Sequence, residues 1–166
     1  MQIKDIIDKL SSYNLFNYLF PGFLFVIILN YTTTYSEVLP ESITVLEQIV
    51  LIYFSGLVLS RIGSLIIESI LLKLSLIKPL NSSDYLEKSK DNHKLEIIFE
   101  AMNMYRTLAS MSLVLSTLTF IKYFSHTELS SQTLIIILME LLLFALFSFA
   151  FCKQRRKVLE SILSLI

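Results

Sequence analysis

The chain has no tryptophan, one cysteine, two histidines, three glycines and three prolines in 166 residues. With Cys152 alone, no intrachain disulfide and no thiolate cluster can form. His93 and His126 lie far apart in sequence, which leaves a structural zinc site almost without ligands. No metal and no other cofactor is expected. Charge is scarce as well, at 17% of residues against roughly 25% in soluble domains. The 14 Lys and Arg are matched by 14 Asp and Glu, so there is no basic excess to hold a nucleic acid. Catalytic motifs are missing too: no Gly-rich phosphate loop, H-E-x-x-H or G-x-S-x-G. Ser82, Ser83, Asp84 and His93 supply the letters of a triad without its geometry. An enzyme is therefore not expected. An intramembrane one would need a convergent acid, base or nucleophile set, which Glu140 alone does not provide.

What is abundant is apolar: 54% of residues are hydrophobic and the mean hydropathy is +0.67. The pattern predicts an all-α integral membrane bundle of about four transmembrane helices, a single membrane domain over residues 1–166. The spans fall at approximately 15–31, 43–66, 106–123 and 134–151, each near the 20 residues that cross a bilayer. Pro21-Gly22 falls inside the first, where a membrane helix tolerates a kink. Arg61, near the inner end of the second, reaches the headgroups by snorkelling. Arg106 and Lys122 flank the third. Asp5 and Asp8 interrupt the basic-then-apolar order of a signal peptide, so no cleavable leader is expected.

Four spans place both ends on one side of the membrane. That side collects every Lys and Arg except Lys122, which by the positive-inside rule makes it the cytoplasm. Tyr13, Tyr18, Tyr31, Tyr35 and Tyr123 fall near span ends, as aromatic belts do. Outside the bilayer, Ile3, Ile6, Ile7 and Leu10 have helical spacing, and so do Val158, Leu159, Ile162, Leu163 and Ile166. Both stretches suit amphipathic terminal helices at the membrane surface. The segment of about 67–105 is expected to project as a cytoplasmic helical hairpin, with N-cap candidates at Asn81-Ser82-Ser83-Asp84.

Glu140 is the most conspicuous residue, because a carboxylate midway along a span costs about 2.5–3.5 kcal/mol on insertion scales. It either lines a pore or proton path, or is a hydrogen-bonded acid packing the bundle. An α-helical period puts Arg61, Ser64 and Glu68 on one face, and Glu96, Glu100 and Asn103 on a face of the antiparallel neighbour, with Arg106 close by. An inner-edge charge network of Arg61, Glu68, Glu100 and Arg106 is expected, pairing Arg61 with Glu100 and Glu68 with Arg106. Gly56, Ser60 and Gly63 form a small-residue face that favours self-association, and Asn14, Asn17 and Asn30 suit bonds between helices.

The runs Ser60-Arg61-Ile62-Gly63-Ser64-Leu65-Ile66-Ile67-Glu68 and Glu100-Ala101-Met102-Asn103-Met104-Tyr105-Arg106-Thr107 resemble a pair of motifs in small, uncharacterised bacterial four-span membrane proteins. The resemblance covers about the middle third of the chain and names no activity. In size and layout the chain is also similar to multi-pass membrane components of anti-phage defence systems, which implies the bacterial inner membrane and a cytoplasmic protein partner. Two functional expectations follow. One is a homo-oligomeric pore, lined or gated by Glu140 and the inner-edge charges. The other is a non-conducting scaffold that recruits a cytoplasmic effector.

Overall fold

Four helices account for the residues that the computed structural model describes, 14–32, 44–80, 92–125 and 131–163, and no strand occurs among them. Helix α1 opens as a π turn over Leu15–Leu19 and continues as α-helix over Phe20–Thr32. The wide turn stands just ahead of Pro21. A proline ring clashes with the carbonyl four residues back and leaves it without a donor; an i→i+5 turn there relieves the crowding. The N–H of Phe20 accordingly bonds the Leu15 carbonyl.

Helix α2 spans Val45–Lys73. It is α-helical over Val45–Ile62, passes through a π turn at Gly63–Glu68, and resumes over Ser69–Lys73. Thr44 and Glu47 start it with a reciprocal capping box. The Thr44 N–H donates to Glu47 Oε2 at 2.7 Å, and the Glu47 N–H donates to Thr44 Oγ1 at 3.4 Å, so two of the orphan amides at the helix start have acceptors. Its end is a Schellman motif: the Ser75 N–H bonds the Leu72 carbonyl and the Leu76 N–H bonds the Leu71 carbonyl, both at 3.0 Å. Ser75 stands in the left-handed region there, with φ of 56°.

Helices α3 (His93–Ser125) and α4 (Ser131–Leu163) have 33 residues each, about 50 Å at 1.5 Å per residue. Asn92 caps α3, its Oδ1 accepting from the Leu95 N–H at 3.2 Å. Both helices exceed the roughly 30 Å of hydrocarbon in a bilayer. Helices α2, α3 and α4 are long and apolar enough to cross a membrane, while the apolar stretch of α1, Leu15–Tyr31, is shorter.

Helix α3 touches all three others. Buried Leu95, Met102, Ala109 and Ser116 recur along it every seven residues, and Ser112 and Thr119 keep the same period. That is the spacing of an antiparallel seam with α4. Ile67 and Leu71 of α2 join Leu95, Met102 and Ala109 of α3 and Phe151, Val158 and Ile162 of α4 in one cluster; Leu29, Leu59, Leu108, Met111 and Leu115 form a second. The middle of α3 is rich in small hydroxyl residues. Thr107, Ser112 and Ser116 donate to carbonyls three or four residues back in their own helix, which keeps polar groups satisfied in an apolar interior.

The outward faces are the reverse of a soluble protein. Phe54, Leu65, Leu138, Leu142 and Phe149 are all exposed, Phe149 to 70%. Contiguous apolar surface on this scale marks a membrane or interaction surface, and the lengths and composition of these helices fit a membrane protein.

Two expectations need restating against this fold. The C-terminal amphipathic stretch is no separate surface helix, because α4 runs unbroken to Leu163 and Val158 and Ile162 are core residues. The N-terminal stretch Ile3–Leu10, Tyr13, Tyr35 and the caps at Asn81–Asp84 lie outside the described residues. The left-handed backbone at Ser75 costs an L-residue about 1 kcal/mol that glycine avoids. Ser75→Gly therefore raises stability by about that amount, read as a higher midpoint in thermal unfolding of the detergent-solubilised protein; a lower midpoint would contradict the Schellman assignment.

Candidate functional site

At the end of α2 a single carboxylate meets two guanidinium groups from different helices. Arg106 Nη1 of α3 donates to Glu68 Oε2 at 2.6 Å, and Arg155 Nη1 of α4 donates to Glu68 Oε1 at 2.7 Å. Arg155 is 4% exposed, and its Nε also donates to the Lys78 carbonyl at 3.2 Å, which ties the segment following α2 to α4. One negative and two positive charges leave the cluster net positive. The Nε of Arg106 is buried with no hydrogen-bond acceptor among the described residues.

The π turn explains why Glu68 reaches this place. In a regular α-helix, residues five apart point about 140° away from each other. A wider turn of i→i+5 bonds brings the sixth residue back to within about 50° of the first. Gly63 packs against the Arg106 backbone, where an added Cβ would lie 3.0 Å from the Arg106 carbonyl oxygen, and Glu68, five residues on, meets the Arg106 side chain.

The same turn separates Glu68 from Arg61. Arg61 is exposed, and none of the described ion pairs includes it. Of the four charges expected to cooperate, Glu68 and Arg106 are in direct contact, Glu100 is half-buried one and a half turns before Arg106 on α3, and Arg61 stands apart. Arg155 was not among them. It belongs to the basic run Lys153–Lys157, which invites a purely surface reading. Its spacing carried the signal, since Phe151, Arg155, Val158 and Ile162 share one apolar helical face and a cation on such a face needs a buried partner.

Glu140 is 5% exposed and sits between α3 and α4. The Thr119 hydroxyl donates to its Oε1 at 3.2 Å, and its Oε2 is buried without a hydrogen-bond partner among the described residues. Thr119 lies on the heptad seam of α3, so this contact is internal to the chain. Asn17 and Pro21 are fully buried, whereas Asn30 is exposed.

The small-residue face is also used within the chain. A Cβ at Gly56 would collide with the Tyr18 backbone, and one at Gly22 with the Ile52 carbonyl. Tyr18 and Tyr53 stack edge to face with centroids 5.7 Å apart. These contacts put α1 antiparallel against α2 at backbone distance, as small residues allow. Ser60 is buried beside Leu59, whose carbonyl accepts from the Ser110 hydroxyl at 2.5 Å.

No group of three or more His, Cys, Asp or Glu capable of holding a metal occurs among the described residues. The Glu68 contacts brace α2, α3 and α4 against each other. Neutralising Glu68 strands two largely buried cations, and breaking a buried pair in that way costs roughly 3–5 kcal/mol. Glu68→Gln should lose about that much, read as a fall in unfolding midpoint and in the monodisperse fraction on gel filtration, while exposed Arg61→Gln stays within about 0.5 kcal/mol of the parent. Equal effects of the two substitutions would overturn the assignment. No family model, curated protein or solved structure matches the chain.

Proposed function

We propose that the chain is a four-span protein of the bacterial plasma membrane, with both termini cytoplasmic, that acts as a non-conducting scaffold for a cytoplasmic partner. Four spans are supported by the register of α1, which sets Tyr18 beside Gly56 and Gly22 beside Ile52 and so gives it the depth of the apolar part of α2. Its stretch Leu15–Tyr31 is about 25 Å long at 1.5 Å per residue, a shortfall that local thinning of the bilayer absorbs at modest cost. Orientation follows from the charges: every Lys and Arg but Lys122 falls on the side of the termini.

The observation that carries the scaffold reading is where the polar groups at membrane depth point. Glu140 faces Thr119 and Ser110 faces the Leu59 carbonyl, both inside the chain's own bundle. The exposed positions of α4 from Leu134 to Phe149 are all apolar, and so are those of α2 from Val50 to Val58. A pore between copies needs a polar seam on an outward face; α2 and α4 offer none, and α1 and α3 turn outward only single polar residues there, Asn30 and Thr117, among the described residues. The end of the bundle nearest Glu68, where α3 and α4 run past the bilayer, is left as the surface for a soluble protein.

Two measurements test this. Removal of Asn81–Lys94 should abolish capture of the cytoplasmic partner and leave membrane insertion intact; capture that survives the deletion removes the scaffold reading. Liposomes carrying the chain should show ion flux at the level of protein-free liposomes, with Glu140→Gln indistinguishable from the parent. Flux that exceeds this background and falls in Glu140→Gln would establish the pore reading instead.

A further inference from the structure

Beside the Glu68 cluster, α4 and the segment Ser75–Leu80 line an open groove of about 1090 Å³, a little above the roughly 300–1,000 Å³ of small-molecule sites. Its walls have two kinds of surface. Ile77, Leu80, Phe149 and Leu159 supply apolar lining, and Lys78, Lys153, Arg155 and Arg156 supply cations. The one acid of the lining, Glu160, is occupied by Arg156 at 2.9 Å. Arg155 shares its charge with Glu68, but the two-guanidinium cluster it belongs to is itself net positive.

The position of the groove along α4 says what chemistry meets it. From Leu134 to Phe151 the only charge is Glu140, which is turned inward. Phe149 is the last strongly exposed apolar residue of that run, and Lys153 and Arg156 follow within two turns. Apolar wall and cations therefore meet at the level where hydrocarbon gives way to headgroups.

We propose that this groove holds an anionic phospholipid of the cytoplasmic leaflet, with its phosphate at Lys78, Lys153 and Arg156 and an acyl chain along Ile77, Phe149 and Leu159. The inference rests on the membrane reading given above. Basic pockets between spans at the cytoplasmic face suit anionic headgroups. A zwitterionic lipid would bring an ammonium into a groove already net positive, which is the basis for selectivity. The apolar wall distinguishes a lipid from free phosphate, which gains nothing from Phe149 or Leu159.

The test is native mass spectrometry of the delipidated full-length protein, titrated with dioleoyl phosphatidylglycerol or dioleoyl phosphatidylcholine. One phosphatidylglycerol should bind about tenfold more tightly than phosphatidylcholine, two to three basic side chains being engaged, and excess inorganic phosphate should fail to displace it. The double substitution Lys153→Gln with Arg156→Gln should remove that preference without loss of monodispersity. Lys157→Gln, on the same helix but outside the lining, should keep it. Equal binding of the two lipids by the parent, or an equal loss in Lys157→Gln, overturns the proposal. So does a benzophenone on Cys152, itself part of the lining, that cross-links to another segment of this chain rather than to lipid. Carbonate extraction separates the two readings. Release of the chain from membranes refutes the membrane reading, whereas retention with no lipid preference refutes only the groove's assignment.

Discussion

The Glu68 carboxylate is gripped from two sides by guanidinium groups that α3 and α4 bring to the end of α2. Burying a charge costs several kcal/mol, and a buried ion pair repays that only when its geometry is good and its remaining donors are satisfied. Here both carboxylate oxygens are taken and Arg155 uses a further N–H on the Lys78 carbonyl, while the buried Nε of Arg106 has no acceptor among the described residues. Such a cluster contributes less to net stability than to specificity, because a slip of any one of the three helices by a turn leaves a charge stranded. The alternative packings of these apolar helices, which lipid and Leu-rich surfaces would otherwise make nearly equivalent, are excluded in this way.

The rest of the bundle follows from the same need to place polar groups inside. In lipid no water is available to satisfy an outward hydroxyl or carboxylate, so Thr107, Ser110, Ser112, Ser116 and Thr119 gather on α3, a helix that contacts all the others. Small side chains at those positions let the helices approach, and their hydroxyls find carbonyls within one turn or acceptors on a neighbour, the Leu59 carbonyl for Ser110 and the Glu140 carboxyl for Thr119. The glycines of α1 and α2 extend that logic to direct backbone contact between Tyr18 and Gly56. Polar interior and apolar exterior are thus one constraint, and the proposed roles for the cytoplasmic end and its groove depend on it.

Much of this architecture is legible in the sequence because membrane spans are long and their signal is strong. The start of α2 near residue 43 and the apolar stretches of α3 and α4 follow from hydropathy and helical period, and the cost of an isolated acid singles out Glu140. The separation of Arg61 from the cluster does not. An α-helical period of 3.6 residues places Arg61 and Glu68 on one face, but the π turn at Gly63–Glu68 rotates everything beyond it, and no residue type in that stretch announces a π turn. Arg155 was hidden by its neighbours in a basic run, although its spacing from Phe151 and Val158 held the clue. The small-residue face of Gly56 and Gly63 reads from sequence as one for self-association, whereas both glycines pack within the chain, on Tyr18 and Arg106: small residues state that something packs closely, not whether it belongs to the same chain.

The central claim is that the polar groups of these helices face inward while their apolar faces meet lipid, and the most direct measurement is of solvent at each face. In the Cys152→Ser background, single spin labels placed in turn along α4 from Leu134 to Phe149, in reconstituted bilayers, report collisions with oxygen and with a water-soluble nickel chelate. The account predicts high oxygen and low nickel accessibility at Leu138, Leu142 and Leu146, and low accessibility to both at Ile137 and Phe144. Nickel accessibility at Leu138 and Leu142 equal to that of an aqueous loop would place this face in water and contradict the account.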